Sequence, residues 1–141
     1  MGGHYYLGQN DNNTTENGPV HTTATILKHV VSSAAEAEYG GLFINAKSAV
    51  PLLQALIDMG QSQPPTPIQT DNDTATALAN QTIKQKYSKT VDMRFHWIRH
   101  CIEQGQFCVY CKPGAANKAD YFSKHDLPSH HCAVSHEYLK K

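Results

Sequence analysis

The chain has 141 residues, a length that predicts one domain with a core of its own. Twelve basic and twelve acidic residues give zero formal net charge, so total charge neither favours nor excludes a nucleic-acid partner. No stretch is expected to be long enough to span a membrane, and no basic segment followed by an apolar run marks a secretory signal. An intracellular location is therefore expected, and the four cysteines are expected to be reduced thiols.

The first predicted elements are two strands that pair as a hairpin. Residues 4–8 (HYYLG) predict a short strand, and residues 20–29 alternate and are rich in β-branched side chains, which favours a second strand. The segment between them, residues 9–19, is rich in Asn, Thr and Gly and therefore predicts a turn or loop.

A long helix is predicted to follow the hairpin. Ser32 or Ser33 suits its N-cap, and Glu36 stands three residues after Ser33, which is the spacing of a capping box. Apolar residues then recur at helical spacing. Pro51 lies within this stripe and is expected to kink or break the helix, and Gly60 is expected to end it.

Strands and helices alternate through the second half of the chain. The predicted elements are a strand at 66–71, a short helix at 73–83, a long helix at 91–103, a strand at 107–111 and one or two helical turns at 118–125. This order predicts an α/β fold whose sheet has antiparallel and parallel parts. The segment after Pro128 has no clear period and predicts a flexible tail.

Asp71 is a candidate functional residue because it follows a strand and precedes a helix. In open α/β sheets, ligands bind at the carboxyl ends of the strands. A structural role is the alternative, since Asp71, Asn72 and Asp73 all suit the N-cap of the following helix.

Three further acids stand at the starts of helices. Glu36 and Glu38 are two residues apart, which is about 200° around a helix, so only one of them can face a given site. The helical periodicity does not choose between them. Asp120 precedes an aromatic residue, and its structural alternative is an acid favoured by the helix dipole.

Four motifs in order resemble the ribonuclease H domain of copia-type retrotransposon polyproteins. They are residues 32–39 (SSAAEAEY), 70–72 (TDN), 88–99 (SKTVDMRFHWIR) and 119–124 (ADYFSK), and Ser123 stands where the family usually has Thr. The resemblance covers roughly residues 2–124. It implies a ribonuclease H-like mixed sheet flanked by helices and lacking the first strand, with an incomplete domain at 1–127 and a tail at 128–141.

The resemblance also implies a reaction and its residues. Glu38, Asp71 and Asp120 would be the catalytic acids and would hold two Mg²⁺ or Mn²⁺ ions, and Asn72 and Lys89 would contact the substrate backbone. The reaction would be hydrolysis of the RNA strand of an RNA–DNA hybrid, in a polyprotein with an upstream reverse transcriptase region. The nucleus and a virus-like particle are both locations that such a protein could have.

The family has a fourth acid on a strand that would precede Met1. The sequence therefore predicts weak or absent nuclease activity for this chain. An alternative in a different functional class is a non-catalytic nucleic-acid or protein interaction module of the same fold. Five basic residues between positions 84 and 99 would suit either a strip that follows phosphates or a solvated face: Lys84, Lys86, Lys89, Arg94 and Arg99.

A small zinc-binding module is the third alternative. His96 and His100 are four apart on one helix face, and Cys108 and Cys111 follow. However, residues three apart in a strand point to opposite faces, which disfavours Cys108 and Cys111 as joint ligands. The tail also carries potential ligands, which are His130, His131, Cys132 and His136.

Overall fold

The computed structural model describes residues 1–8, 18–28, 31, 33–82, 92–114, 117, 119, 121 and 127–138. The chain divides into two compact units, which are a hairpin unit (Met1–Ile26 with Lys118–Lys141) and a core unit (Leu27–Asn117). The elements in chain order are β1 (Gly2–Tyr5), β2 (His21–Ala24), α1 (Ala34–Asp58), β3 (Thr66–Thr70), α2 (Asp73–Ala79), α3 (Asp92–Glu103), β4 (Phe107–Cys111) and α4 (Pro128–Tyr138).

The hairpin unit contains the antiparallel pair that the sequence predicts. Gly2 pairs with Ala24 at one end of the ladder, and Tyr5 pairs with His21 at the other. The first strand begins two residues earlier than the predicted range of 4–8. A Cβ atom on Gly2 would collide with the backbone carbonyl oxygen of Ala119, so the absence of a side chain at Gly2 allows these two backbones to approach closely.

Helix α1 begins at the predicted cap. Ser33 has extended backbone angles, and its Oγ accepts the Glu36 N–H at 3.2 Å, as an N-cap does. Of the two outcomes predicted for Pro51, a kink or a break, the break does not occur, because α1 continues through Pro51 to Asp58. The missing Pro51 N–H leaves the carbonyl of Lys47 without its helical donor. Both residues are exposed, so water can replace that bond.

Helix α1 also contradicts the expectation that no stretch reaches the length of a membrane span. It has 25 residues and a long apolar stretch, so length and composition alone would allow it to cross a membrane. The central helix of a packed core can have the same properties. In the core unit α1 packs against α2, α3 and β3.

The core unit is built on a parallel pair of strands. Thr66 of β3 pairs with Phe107 of β4, and the register continues to Thr70 and Cys111. Helices α2 and α3 lie between the two strands in the sequence, as a parallel connection requires. The buried cluster consists of Tyr39, Leu42, Ala75, Ala79, Phe95, Ile98 and Val109.

The structure confirms the α/β class. The described strands form two separate two-stranded sheets, one antiparallel and one parallel, rather than the single mixed sheet that the resemblance implies. The helical turns predicted at 118–125 lie almost entirely outside the described residues.

The prediction of a flexible tail is wrong, because Pro128–Tyr138 forms helix α4. The described side chains of its first six residues are exposed, which explains why no apolar period marked the helix. Within the hairpin unit the Tyr121 hydroxyl and Nδ1 of His131 are hydrogen-bond partners, and their rings stack with centroids 5.7 Å apart.

Candidate functional site

Asp71 lies at the carboxyl edge of the parallel strands. It is the first residue after β3, and the buried Thr70 before it pairs with Cys111, the last residue of β4. The Lys112 N–H donates to the Thr70 carbonyl at 3.0 Å, so pairing extends one residue beyond β4. The chain therefore leaves both strands at the same edge, where a parallel sheet presents groups to a ligand.

Asn72, rather than Asp71, caps helix α2. Its Oδ1 accepts the Ala75 N–H at 2.9 Å, and its backbone has the extended angles of an N-cap. The Thr76 hydroxyl also donates to the Asn72 carbonyl at 3.2 Å. Of the structural alternatives that the sequence left open, the N-cap role thus belongs to Asn72. Asp71 remains at the strand edge with a carboxylate that this cap does not use.

The loop after β4 passes directly beside the Asp71 carboxylate. A Cβ atom on Gly114 would lie 3.1 Å from Oδ2 of Asp71, and 3.7 and 3.8 Å from its Cβ and Cγ. The Gly114 carbonyl accepts the Asn117 N–H at 2.9 Å, which holds the loop on its other side. Sequence reasoning missed Gly114, because its contact with Asp71 joins positions 43 residues apart in the chain.

Cys111 is a second residue at this edge that sequence reasoning did not connect with Asp71. A side-chain hydrogen bond with Asp73 raises the pKa of the Cys111 thiol, and partial burial and the charges of Asp73 and Asp71 add to that effect. A hydrogen bond with Thr76 acts in the opposite direction. The thiol is therefore kept in its neutral form, which is a poor nucleophile and a poor metal ligand.

Glu38 lies in the first turns of α1, in the same unit as Asp71. Its side chain is exposed and that of Glu36 is half-buried, while the next residue, Tyr39, is buried in the core. The Ser33 cap uses the backbone N–H of Glu36 and does not decide which glutamate would bind a cation. Asp120 and Lys89 lie outside the described residues.

Arg99 has a structural role, whereas the sequence predicted that the basic residues would form either a strip that follows phosphates or a solvated face. Its Nε and Nη2 donate to the Leu78 carbonyl at 3.1 and 2.9 Å, and its guanidinium lies 3.8 Å from the Phe95 ring centroid. It therefore satisfies a carbonyl in the last turn of α2. Arg94 lies over the Phe43 ring at 5.8 Å. Lys84 and Lys86, like Lys89, lie outside the described residues.

The potential zinc ligands stay dispersed in the part of the chain that the structure describes. His96 and His100 are exposed on α3, and Nε2 of His100 contacts Nε2 of Gln104 at 2.7 Å. Cys108 is exposed between two buried residues of β4, and each of the four cysteines is a free thiol. No three His, Cys, Asp or Glu side chains among the described residues lie close enough to hold a metal ion.

Comparison with curated proteins finds a similarity to a retroelement polyprotein. The chain is 26% identical over 111 residues to the retrovirus-related Pol polyprotein from transposon TNT 1-94 of Nicotiana tabacum, a match that covers 79% of this chain and 8% of that polyprotein. No family model and no solved structure matches the chain. The similarity supports an origin in a copia-type retroelement, which the sequence motifs predicted.

Proposed function

We propose that the chain is a ribonuclease H-like segment of a retroelement polyprotein that binds RNA–DNA hybrids and cleaves their RNA strand only weakly, because the family's first acid has no match in its motifs. The observation that carries the proposal is the position of Asp71, whose carboxylate follows β3 at the edge of the parallel strands while Asn72 caps α2. The similarity to a Pol polyprotein and the order of the acidic motifs support the same proposal.

The donor set has the chemistry that a hard divalent cation requires. Asp71 and Glu38 offer carboxylate oxygens from one compact unit, and oxygen ligands are those that Mg²⁺ and Mn²⁺ prefer. Glu38, Asp71 and Asp120 would hold the ions, and a bound pair would supply an activated water and neutralise the leaving oxygen. Cys111 does not join this set, because sulfur is a soft ligand and Mg²⁺ and Mn²⁺ prefer oxygen ligands.

The remaining residues would bind and orient the substrate. The capping bond of Asn72 uses only its side-chain oxygen, so its amide nitrogen can donate to a sugar hydroxyl or a phosphate oxygen. Lys89 would supply a positive charge to the phosphate backbone. The proposed partners are the hybrid and an upstream reverse transcriptase region, and the proposed setting is inside the cell.

The test is Mg²⁺- or Mn²⁺-dependent cleavage of a labelled RNA strand in an RNA–DNA hybrid. Asp71→Asn should lower cleavage by about a hundredfold or more, which is the scale for removing a key electrostatic group. Asp58→Asn is the matched control, since Asp58 is an exposed residue at the end of α1 that accepts a hydrogen bond from Gln54. The control should leave cleavage unchanged.

The family's fourth acid has no match in the motifs of this chain, so the assay needs two forms of the protein. One is the chain itself, and the other carries the family's first strand fused upstream. Cleavage by either form that depends on Asp71 supports the proposal. Hybrid binding without cleavage in both forms would favour the non-catalytic interaction module, and neither binding nor cleavage would contradict both functions.

A further inference from the structure

The Gly114 backbone lies so close to the Asp71 carboxylate that a Cβ atom at position 114 would require the carboxylate to shift by a few tenths of an ångström. The 3.1 Å separation between an added Cβ and Oδ2 of Asp71 is shorter than an ordinary van der Waals contact. All three of the nearest atoms belong to the Asp71 side chain. Any side chain at position 114 would therefore act first on Asp71.

The backbone conformation of Gly114 gives no other reason for a glycine. Gly18, Gly60 and Gly105 have positive φ angles, which L-residues with side chains rarely adopt, and Gly114 does not. An alanine could adopt the same backbone conformation at position 114. The close approach to Asp71 is therefore the reason for a glycine at position 114.

The loop that carries Gly114 is held at both ends. Before it, the Lys112 N–H donates to the carbonyl of Thr70, the residue that precedes Asp71. Pro113 fixes its own φ angle, and the Gly114 carbonyl accepts the Asn117 N–H. Because this backbone is tied to the strand edge, an added Cβ would move the carboxylate rather than the loop.

We propose that Gly114 is a positioning residue that holds the Asp71 carboxylate in its orientation at the strand edge and leaves Oδ2 open to a divalent cation. The cation rests on the proposed function, whereas the orientation of Asp71 can be tested without any metal. A displacement of a few tenths of an ångström should weaken cation binding by roughly tenfold, since a misplacement of about 1 Å can cost a hundredfold in a site of this kind.

Two measurements on the metal-free and Mn²⁺-loaded protein test the proposal. Three-bond NMR couplings report the χ1 angle of Asp71, and Mn²⁺ titration followed by electron paramagnetic resonance reports cation binding. Gly114→Ala should change the Asp71 couplings and weaken Mn²⁺ binding by roughly tenfold. Gly60→Ala is the control for a general loss of stability, because nothing lies within 4 Å of an added Cβ there. It should change neither quantity.

A double-mutant cycle keeps the test decisive if Gly114→Ala folds poorly. The cost of Gly114→Ala in urea unfolding should disappear in an Asp71→Ala background, because the atom that the added Cβ meets first is then gone. Unchanged couplings, or an unchanged cost of Gly114→Ala without the Asp71 side chain, would overturn the positioning role. Absence of Asp71-dependent Mn²⁺ binding in the wild-type chain would instead overturn the proposed function.

Discussion

The core unit and the hairpin unit are each stabilised by a different kind of interaction. Every buried hydrophobic side chain among the described residues belongs to the core unit, whereas Gly3 is the one described residue of the hairpin unit that is buried. The core unit is therefore stabilised by packing, and the hairpin unit by its backbone ladder and local contacts. Of the three predicted acids, Glu38 and Asp71 belong to the core unit, and Asp120 falls within the residue range of the hairpin unit.

The loss of a core aromatic ring should have the largest effect on the free energy of unfolding, and it tests this difference between the two units. Phe95 is 3% exposed and stacks on Tyr39 with ring centroids 5.0 Å apart. Phe95→Ala should lower the free energy of unfolding by about 3–5 kcal/mol, because it removes buried area and leaves a cavity. Urea unfolding followed by the fluorescence of Trp97, the single tryptophan, reports this unit.

The matched change in the hairpin unit is Ile26→Ala. Ile26 is 86% exposed, so its truncation should change the free energy of unfolding by less than about 0.5 kcal/mol. A cost for Ile26→Ala that approached the cost of Phe95→Ala would show that the hairpin unit has packing that the described contacts do not reveal.

Local sequence patterns predicted the core unit better than the rest of the chain. Residues 107–111 form β4 as predicted, and α3 spans Asp92–Glu103 against a predicted range of 91–103. These predictions rested on periodicity and on glycine stops, which act within a few residues. The same reasoning missed α4, because a helix with mainly exposed side chains has no apolar period.

The candidate site also has one part that the local sequence predicts and another that it does not. Its local part, a carboxylate directly after a strand, could be predicted from residues 66–71 alone. The contacts of Asp71 with the Gly114 backbone and of Asp73 with the Cys111 thiol could not, because they depend on the parallel pairing of β3 with β4. Sequence patterns carry little information about which backbone atoms meet across such a pair.

A smaller effect is expected when the hydrogen bonds from Arg99 of α3 to the Leu78 carbonyl of α2 are removed. Arg99→Met should lower the free energy of unfolding by about 2 kcal/mol, since hydrogen bonds to charged groups contribute about 1.5–3 kcal/mol. Arg94→Met is the matched control, and it removes only a more distant contact with the Phe43 ring, worth about 0.5–1 kcal/mol. Equal costs in urea unfolding would mean that the two hydrogen bonds to the Leu78 carbonyl contribute little.

The pH dependence of stability should also reflect burial in the core unit, through the phenol of Tyr39. Burial raises the pKa of Tyr39 above its ordinary value of 10.0, and Arg99 opposes this only in part. The unfolded state therefore loses the phenol proton first, and stability falls as the pH rises above 10. At pH 10.5 the loss from this group should be about 0.8 kcal/mol relative to pH 8.

Tyr39→Phe isolates that contribution. The variant loses the hydrogen bond from the hydroxyl to the Phe95 carbonyl, so it should be less stable at neutral pH. Its stability should nevertheless decline less steeply than that of the wild type between pH 8 and 10.5. Parallel declines in urea unfolding would indicate that Tyr39 ionises as readily in the folded state as in the unfolded state.

The smallest expected effect is a gain in stability within the core unit. Helices α1 and α3 end in glycines at positive φ, Gly60 and Gly105, whereas α2 is followed by Gln81 at φ 61°. After each helix the residue at positive φ and the next residue donate to carbonyls of the last turn, which is the Schellman motif. A left-handed conformation costs an L-residue about 1–2 kcal/mol, a cost that glycine avoids.

Gln81→Gly should therefore raise the free energy of unfolding by about 0.5 kcal/mol, because the relief of strain exceeds the loss of an exposed hydrogen bond. That bond runs from Nε2 of Gln81 to Oε1 of Glu103 at 2.6 Å. Glu103→Met tests it separately in urea unfolding, because it removes the acceptor oxygen without changing the backbone. A net loss in Gln81→Gly that matched the cost of Glu103→Met would mean that the hydrogen bond between Gln81 and Glu103 contributes more than the strain at Gln81 costs.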